Sequence, residues 1–396
     1  MLPDMAHLRV LFVHDVIGDL GGAEANVRHA AAGLLARGAE VALLHGPGTG
    51  TGEERFRELF PVRFDWTGGW QSAWAAAAAW GPGVVYVHKL AHLPVLEALV
   101  ESKIPLVRMV HDHAMYCQRE YRYLPWNRRI CTRTAGYGCA LTCAVLRDRQ
   151  GLLPVRFAWP GRKLRELALC RRFRRHVVVT RFMRDELLQH GFDGDRITIL
   201  PPVPRPAQPG YAPTWSQPVL LFVGQIIRGK GLDVLIKALP RLRTPGWRAM
   251  VIGDGAHRPA CERLARDLGL ADRIRFTGWI PQDRLMEHYT DARVGVVPSV
   301  WPEPIATIGL EFMQHRLPVV AFDAGGMADW CIDGENGFLV PLWDLATLAD
   351  RIDRLLADGD LARRMGEDGL AKGLRWHVYE RYLDDLAGLL AAEATA

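Results

Sequence analysis

The sequence predicts an α/β protein made of two doubly wound parallel-sheet domains in succession. Three observations carry this. Short apolar runs alternate with longer helical stretches along the chain, the pattern of βαβ units. The tract "LPPVPRPAQPGYAPTWSQP", residues 200–218, holds seven prolines and cannot continue a regular element, because proline fixes φ and lacks an N–H. After that tract the alternation starts afresh.

In the first half, "RVLFVHDV" reads as a strand and "GGAEANVRHAAAGLLARGAE" as a helix opened by glycines and closed by Gly38. "VALLHGP", "VVYVHK" and "LVRMVHD" follow as strands after helical linkers, and "HVVVT" closes the series. In the second half, "VLLFVG", "WRAMVIGDG", "IRFTGWI", "VGVVPS" and "LPVVAF" are strands with helices behind them. Two Rossmann-like domains result, 1–205 and 206–396, facing each other across a cleft. A cysteine-rich insert at 116–145 belongs to the first, and the last helix packs back onto it. The proline tract is the linker; a long surface loop inside one domain is the alternative. Open α/β sheets bind ligands beyond the carboxyl ends of their strands, so functional residues belong on the loops there.

The 396 residues are about half apolar and carry a net charge of only +5, which does not call for nucleic acid but suits phosphate-bearing ligands. No apolar run is long enough to span a membrane. The first apolar run begins behind Asp4 and contains Asp15, so it reads as a strand and not a signal peptide, and the expected location is cytoplasmic.

Three stretches carry chemistry. In "GDLGGAEANV", Gly21 and Gly22 let the backbone approach a ligand at a helix N-terminus, a phosphate cradle or a plain structural turn. In "VGQIIRGKGLD", Arg228 and Lys230 stand in a glycine-flanked loop before a helix, where two cations neutralise a diphosphate and stabilise it as a leaving group; a solvated basic loop is the bland reading. In "EPIATIGLEF", Pro304 suits the first position of a helix, Glu303 stands at its mouth, and the N–H groups of Ile305, Ala306 and Thr307 are free donors. Glu311, eight residues on, lies roughly 12 Å from Glu303 along a helix. That separation suits two grips on one elongated ligand, a sugar ring at one end and a ribose at the other. An N-cap and a surface residue are the bland alternatives.

These residues carry a resemblance. "GQIIRGKG" followed by "EPIATIGLE", with "GGAE", "VIGDG", "FTGWI" and "DAGGMADW", resembles the retaining glycosyltransferases of family four, which have the GT-B fold. The resemblance covers nearly the whole chain and implies the following roles. Lys230 and the arginine of the basic loop bind the donor diphosphate. Glu303 contacts the donor sugar and Glu311 the ribose. Gly253 of "VIGDG" and the Gly21–Gly22 loop lie by the donor. His111 of "MVHDH" sits beside the reacting carbon. One departure stands out: the family's arginine directly after the first glycine of the second domain is Gln225 here, and Arg228 is the substitute.

The insert holds Cys117, Cys131, Cys139 and Cys143 within 27 residues, with irregular spacings and no C-x2-C pair. Four thiolates could hold a structural zinc; buried thiols or two disulfides are the alternatives. Residues 161–176, "GRKLRELALCRRFRRH", carry seven Lys/Arg between leucines and could rest on anionic lipid, or form an exposed helix. The expected function is transfer of a sugar from a nucleotide-sugar donor (UDP-, GDP- or other) to an acceptor hydroxyl on a glycan, a lipid-linked sugar or a small molecule, with no cofactor in the chemistry. A nucleotide-sugar epimerase of the same architecture, or a zinc-stabilised binding module without turnover, are the rival expectations.

Overall fold

The computed structural model describes residues 5, 7–124, 126–147, 155–202, 213–376 and 378–395. The chain divides into two units. Unit 1 comprises Met1–Glu120, Thr132–Pro202 and Glu380–Ala396; unit 2 comprises Tyr121–Cys131 and Val203–Tyr379.

Unit 1 is built on β1 (Arg9–His14), β2 (Glu40–His45), β3 (Val62–Asp65), β4 (Val84–Val87) and β5 (Leu106–Val110), with β6 (Val145–Arg147) and β7 (Val155–Phe157) as a separate antiparallel pair, then β8 (Arg175–Val178) and β9 (Ile197–Ile199). Its seven-stranded sheet runs in the order β3-β2-β1-β4-β5-β8-β9, all neighbours parallel. Val10, Leu11, Phe12 and Val13 are fully buried, as expected of a parallel strand covered by helices on both faces. The helix Gly22–Ala36 follows β1, and Gly38 at φ 92° ends it, a left-handed position where a side chain is disfavoured.

Unit 2 holds β10 (Val219–Val223), β11 (Arg248–Ile252), β12 (Ile274–Gly278), β13 (Val294–Val297), β14 (Val319–Phe322) and β15 (Gly337–Val340), ordered β12-β11-β10-β13-β14-β15 and all parallel. Each sheet reverses its winding once, between β1 and β4 in unit 1 and between β10 and β13 in unit 2. Such switch points open a crevice at the carboxyl ends of the strands.

The last helix, Tyr379–Thr395, packs within unit 1: Asn26 donates to the Tyr382 hydroxyl at 2.9 Å in a buried contact, Arg37 pairs with Asp384, and Arg175 with Glu393. Gly33 makes room for it, since a Cβ there would meet Leu383 at 2.4 Å.

Two expectations for the insert change. It does not lie wholly with the first sheet, because residues 121–131 belong to unit 2. Nor do its cysteines gather: among the described residues no three His, Cys, Asp or Glu come together to hold a metal ion. The four cysteines are divided between the units: Cys131 belongs to unit 2 with the 121–131 segment, and Cys117, Cys139 and Cys143 belong to unit 1. The basic stretch forms a helix only over Gly161–Cys170. Most of its cations are engaged inside unit 1: Arg162 on the Ala91 carbonyl, Lys163 on Glu166, Arg165 on Glu97, Arg171 on the His190 carbonyl, and Arg174 and Arg175 on Glu393. Among the described residues, no helix is long and apolar enough to cross a membrane.

Candidate active site

In unit 2 the loops after β10 and β13 flank the switch point. The first passes through a short 3₁₀ turn, Arg228–Lys230, whose next residue, Gly231, is left-handed at φ 70° and starts the helix Leu232–Ala238. A Cβ on Gly231 would meet the Pro298 carbonyl oxygen at 1.8 Å, so glycine is what lets the two loops touch. The Gly229 carbonyl accepts the N–H of Val300 at 2.8 Å and seals the contact.

The second loop ends in Glu303, which is only 2% exposed. One of its oxygens, Oε1, accepts from Lys230 Nζ at 2.7 Å, Trp301 Nε1 at 2.7 Å and Ser299 Oγ at 2.5 Å. The Lys230 ammonium also lies 5.3 Å from the centre of the Trp301 ring, within cation–π range. A buried carboxylate is tolerated only when paired and hydrogen-bonded, and this one is. Its backbone is pinned as well: Glu303 N–H donates to the Ala324 carbonyl and Gly326 N–H to the Glu303 carbonyl. Gly325, at φ 75°, permits this, because a Cβ there would meet the Glu303 carbonyl at 2.4 Å. Lys230 and Glu303 are therefore brought together. The Arg228 side chain is exposed at the head of the same turn, as is Gln225 three residues before it.

The helix after Glu303 starts later than the prolines suggested. It spans Thr307–Gln314, so Pro304 and Ile305 precede it and Ala306 is its cap, held left-handed at φ 53°. An alanine there stores strain, about 1 kcal/mol or more, which is a common mark of a functional turn. Glu311 lies on this helix and takes a hydrogen bond from the Tyr289 hydroxyl at 3.3 Å. Although the residue keeps some exposure, burial of its carboxyl pushes it up to about 7, against the Tyr289 hydrogen bond that lowers it. Gly253 has a packing reason to be glycine: it sits at φ 134°, and a Cβ would meet the Gly224 carbonyl oxygen at 2.0 Å.

In unit 1, three histidines stand at the carboxyl ends of adjacent strands: His14 on β1, His88 after β4 and His111 after β5. His88 Nδ1 and His111 Nε2 share a hydrogen bond of 2.8 Å, and the rings stack with centres 5.0 Å apart. His14 Nε2 lies 3.4 Å from the buried carboxylate of Glu24. Burial pushes His14 down to about 4 and His111 to about 3, against the adjacent aspartates, Asp15 and Asp112 respectively. Burial, and then His111, holds His88 well below its ordinary range. All three are neutral imidazoles at pH 7. Beside them Lys89 and Asp112 form an ion pair of 2.8 Å. His113 instead packs inward, with its Nδ1 2.7 Å from the Tyr116 hydroxyl. Gly21 and Gly22 are exposed; Gly21 is extended at φ 176°, and a Cβ on Gly22 would meet nothing. Neither backbone shape nor packing demands glycine at either position.

Sequence reasoning missed His14, His88, Glu24, Ser299 and Trp301. For His14, His88 and Ser299 the signal was present: polar residues at the ends of apolar strands, in "VLFVHD", "VVYVHK" and "VVPSVW".

Residues 212–372 match the family described as glycosyl transferases group 1, and residues 20–203 match glycosyltransferase family 4. Together the two matches span most of the chain, and both families are of glycosyltransferases. It is 35% identical over 225 residues to a D-inositol 3-phosphate glycosyltransferase of Nocardia farcinica, a match covering 51% of this chain and 49% of that protein. It is 32% identical over 176 residues to an alpha-D-kanosaminyltransferase of Streptomyces kanamyceticus, covering 44% and 45%. The chain spans about half the length of these curated relatives. Among solved structures, Anabaena Alr3699/HepE in complex with UDP and glucose is similar over 98% of this chain and 100% of that one, with 18% identity and a TM-score of 0.73. At that identity the likeness concerns the fold, which is GT-B: two Rossmann-like units, as the motifs implied.

Proposed function

We propose that this protein is a retaining glycosyltransferase that moves a sugar from a nucleotide-sugar donor to an acceptor hydroxyl. The observation that carries the reading is the Lys230–Glu303 pair, fixed on the two loops that flank the switch point of unit 2. Lys230, oriented in advance by Glu303, presents its ammonium to the donor diphosphate, and Arg228 adds a second cation from the same turn. Preorganised charge aimed at the leaving group lowers the barrier without reorganisation at the moment of reaction. The bond between the anomeric carbon and the diphosphate oxygen breaks, and its electrons leave with the diphosphate. The acceptor oxygen attacks the same face and passes its proton to the departing phosphate oxygen. Glu303 holds hydroxyls of the sugar, and Glu311 holds the ribose. The neutral His111 gives or takes a hydrogen bond beside the reacting carbon. Pro304, Ile305, Ala306 and Thr307 line the turn that faces the donor, and the open Gly21–Gly22 loop leaves room for the substrate.

No metal is needed in this step, because lysine and arginine supply the charge. The donor is a UDP-, GDP- or related sugar, and the bound UDP of the Anabaena structure makes UDP the first to test. The name of the Nocardia relative supports a small hydroxylated acceptor such as an inositol phosphate, and that of a GDP-mannose-dependent phosphatidylinositol monomannoside mannosyltransferase of Mycolicibacterium smegmatis, 30% identical over 209 residues, supports a glycolipid head group. Thermal shift against UDP-, GDP-, ADP- and TDP-sugars tests the donor: a ligand at a hundred times its Kd adds about 2.7 kcal/mol. Product analysis by NMR then reads the anomeric configuration. Stabilisation by none of the four, or an inverted product, overturns the proposal.

A further inference from the structure

The segment Tyr121–Cys131 leaves unit 1 and packs within unit 2. It is a small hairpin: Tyr123 and Ile130 form an antiparallel bridge, Leu124 N–H donates to the Arg129 carbonyl at 2.8 Å, and Cys131 N–H to the Arg122 carbonyl at 2.7 Å. Arg128, at its turn, is held left-handed at φ 56°, a conformation rare for a long side chain. Its guanidinium is nearly buried and makes three hydrogen bonds. Nη1 donates to Asp233 Oδ1 at 3.0 Å and to the Arg228 carbonyl at 2.9 Å, and Nη2 donates to Asp233 Oδ2 at 2.7 Å. Trp343 covers the guanidinium at 5.2 Å.

These partners are the frame of the basic loop. Arg228 opens the 3₁₀ turn that carries Lys230, and Asp233 lies in the first turn of the helix that follows it. Two aromatic residues of the hairpin extend the contact. A Cβ on Gly229 would meet the Tyr123 ring at 3.3 Å, so Tyr123 lies directly on the turn. The Tyr121 ring meets Trp301 edge-on at 5.6 Å, and Trp301 is a donor to Glu303. The hairpin thus touches both loops of the donor site, through the backbone of one and the indole of the other.

We propose that the 121–131 hairpin braces the donor site, with Arg128 as the positioning residue that fixes the basic loop through the Arg228 carbonyl and Asp233. This rests on reading Arg228 and Lys230 as the diphosphate grip. The bidentate fork is what the geometry uses: one planar cation matches both Asp233 oxygens with two nitrogens and reaches the Arg228 carbonyl as well, whereas a lysine ammonium is a single nitrogen without that fork. A turn held this way presents Lys230 in one place before substrate arrives, so the loss on breaking it falls on turnover and diphosphate binding, not on acceptor affinity.

The test uses the full chain with Arg128→Ala, Arg128→Lys and Asp233→Asn. Hydrogen exchange of the amides in 226–232 is read first, because it needs no activity. Arg128→Ala should raise exchange there at least tenfold, with Arg128→Lys and Asp233→Asn smaller in the same direction. Affinity for UDP or GDP, by calorimetry, should fall about tenfold in Arg128→Ala; kcat of transfer should fall at least as much while the acceptor KM stays unchanged. A lower melting temperature with unchanged exchange in the loop and unchanged nucleotide affinity overturns the proposal and leaves the hairpin a packing element. Should Arg128→Ala not fold, Arg128→Lys decides by the same two readings. A wild-type protein that transfers no sugar defeats the glycosyltransferase reading, whereas the exchange data still decide whether Arg128 braces the turn.

Discussion

The two sheets place polar side chains at the same topological position and give them opposite electrostatics. At the switch point of unit 1 stand His14 and His88, with His111 on the next strand, all pushed towards the neutral form by burial. At the switch point of unit 2 stand Lys230 and Glu303 as an ion pair, with Arg228 beside them. Winding decides where a site forms, and the residues at the strand ends decide what it can bind. A diphosphate needs permanent cations. Near a carbon that becomes positively charged, a neutral imidazole can hydrogen-bond without adding charge of the wrong sign.

The largest effect that breaks the comparison belongs to the charged side. Lys230→Ala should lower turnover by about a hundredfold or more, as loss of a preorganised group at a developing charge does. Arg228→Ala should follow it in the same direction if Arg228 stands in for the family's arginine. Steady-state kinetics with the best donor checks both. Near-normal turnover in Lys230→Ala removes the residue from the mechanism, and a loss confined to Gln225 variants moves the second cation there.

The two glutamates separate the ends of the donor. Glu311→Gln should weaken binding of the bare nucleoside diphosphate about tenfold, roughly 1.4 kcal/mol, because a charged acceptor of the ribose hydroxyls is lost. Glu303→Gln should weaken that binding less than Glu311→Gln does, since the amide oxygen still accepts from Lys230, and should lower kcat. Calorimetry with UDP or GDP reads the split, and equal losses in both variants contradict it.

How much of this was legible beforehand follows from the physics of each element. Fully buried strands such as Val10–Val13 and Val294–Val297 announce themselves as apolar runs. The edge strand Val62–Asp65 does not, because its residues are only partly covered and four of them make a weak alternation. Lys230 and Glu303 were found through their neighbours in sequence, glycines and prolines whose backbone needs are local. Their contact with each other, 73 residues apart, was not, and Ser299 and Trp301 were missed because a serine and a tryptophan have many structural uses. Gly253 was assigned to the donor, whereas its close approach to Gly224 explains it by packing. The cysteine insert misled most. Spacing alone cannot say that a hairpin within it joins the other unit.

A smaller effect sharpens the neutral side. His88→Gln should lower turnover a few-fold and leave UDP or GDP affinity unchanged, since His88 acts on His111 through one 2.8 Å hydrogen bond. His111→Asn should cost more than His88→Gln, about tenfold or above, by removing the ring itself. If His88→Gln alters nucleotide affinity instead, the division of labour between the sheets is wrong.

The smallest effect is on stability, and it has opposite signs in the two units. The histidines have folded values below their ordinary 6.5, to about 4 for His14 and about 3 for His111. The unfolded chain therefore takes up their protons first as pH falls. Their contribution is complete above pH 6.5 and is lost on acidification towards pH 3. Glu311 runs the other way. Its folded value, about 7, lies above its ordinary 4.5, so the folded chain holds that proton more tightly. Stability from this group is complete below pH 4.5 and is lost as pH rises through 7. Tyr289 and His315 are the titratable groups that touch it; burial holds the Tyr289 hydroxyl well above its ordinary range and pushes the His315 imidazole down. Replacing Glu311 by Gln should therefore raise the melting temperature relative to the parent at pH 8, by about 2–4 °C or less given the partial exposure of the site, and change it little at pH 4.5. Replacing His88 by Phe should act at the acid end only, flattening the loss between pH 6.5 and 4. Calorimetry of the three proteins from pH 4 to 8 draws the curves. Parallel curves would place both groups in ordinary solvated surroundings and remove the electrostatic contrast between the two switch points.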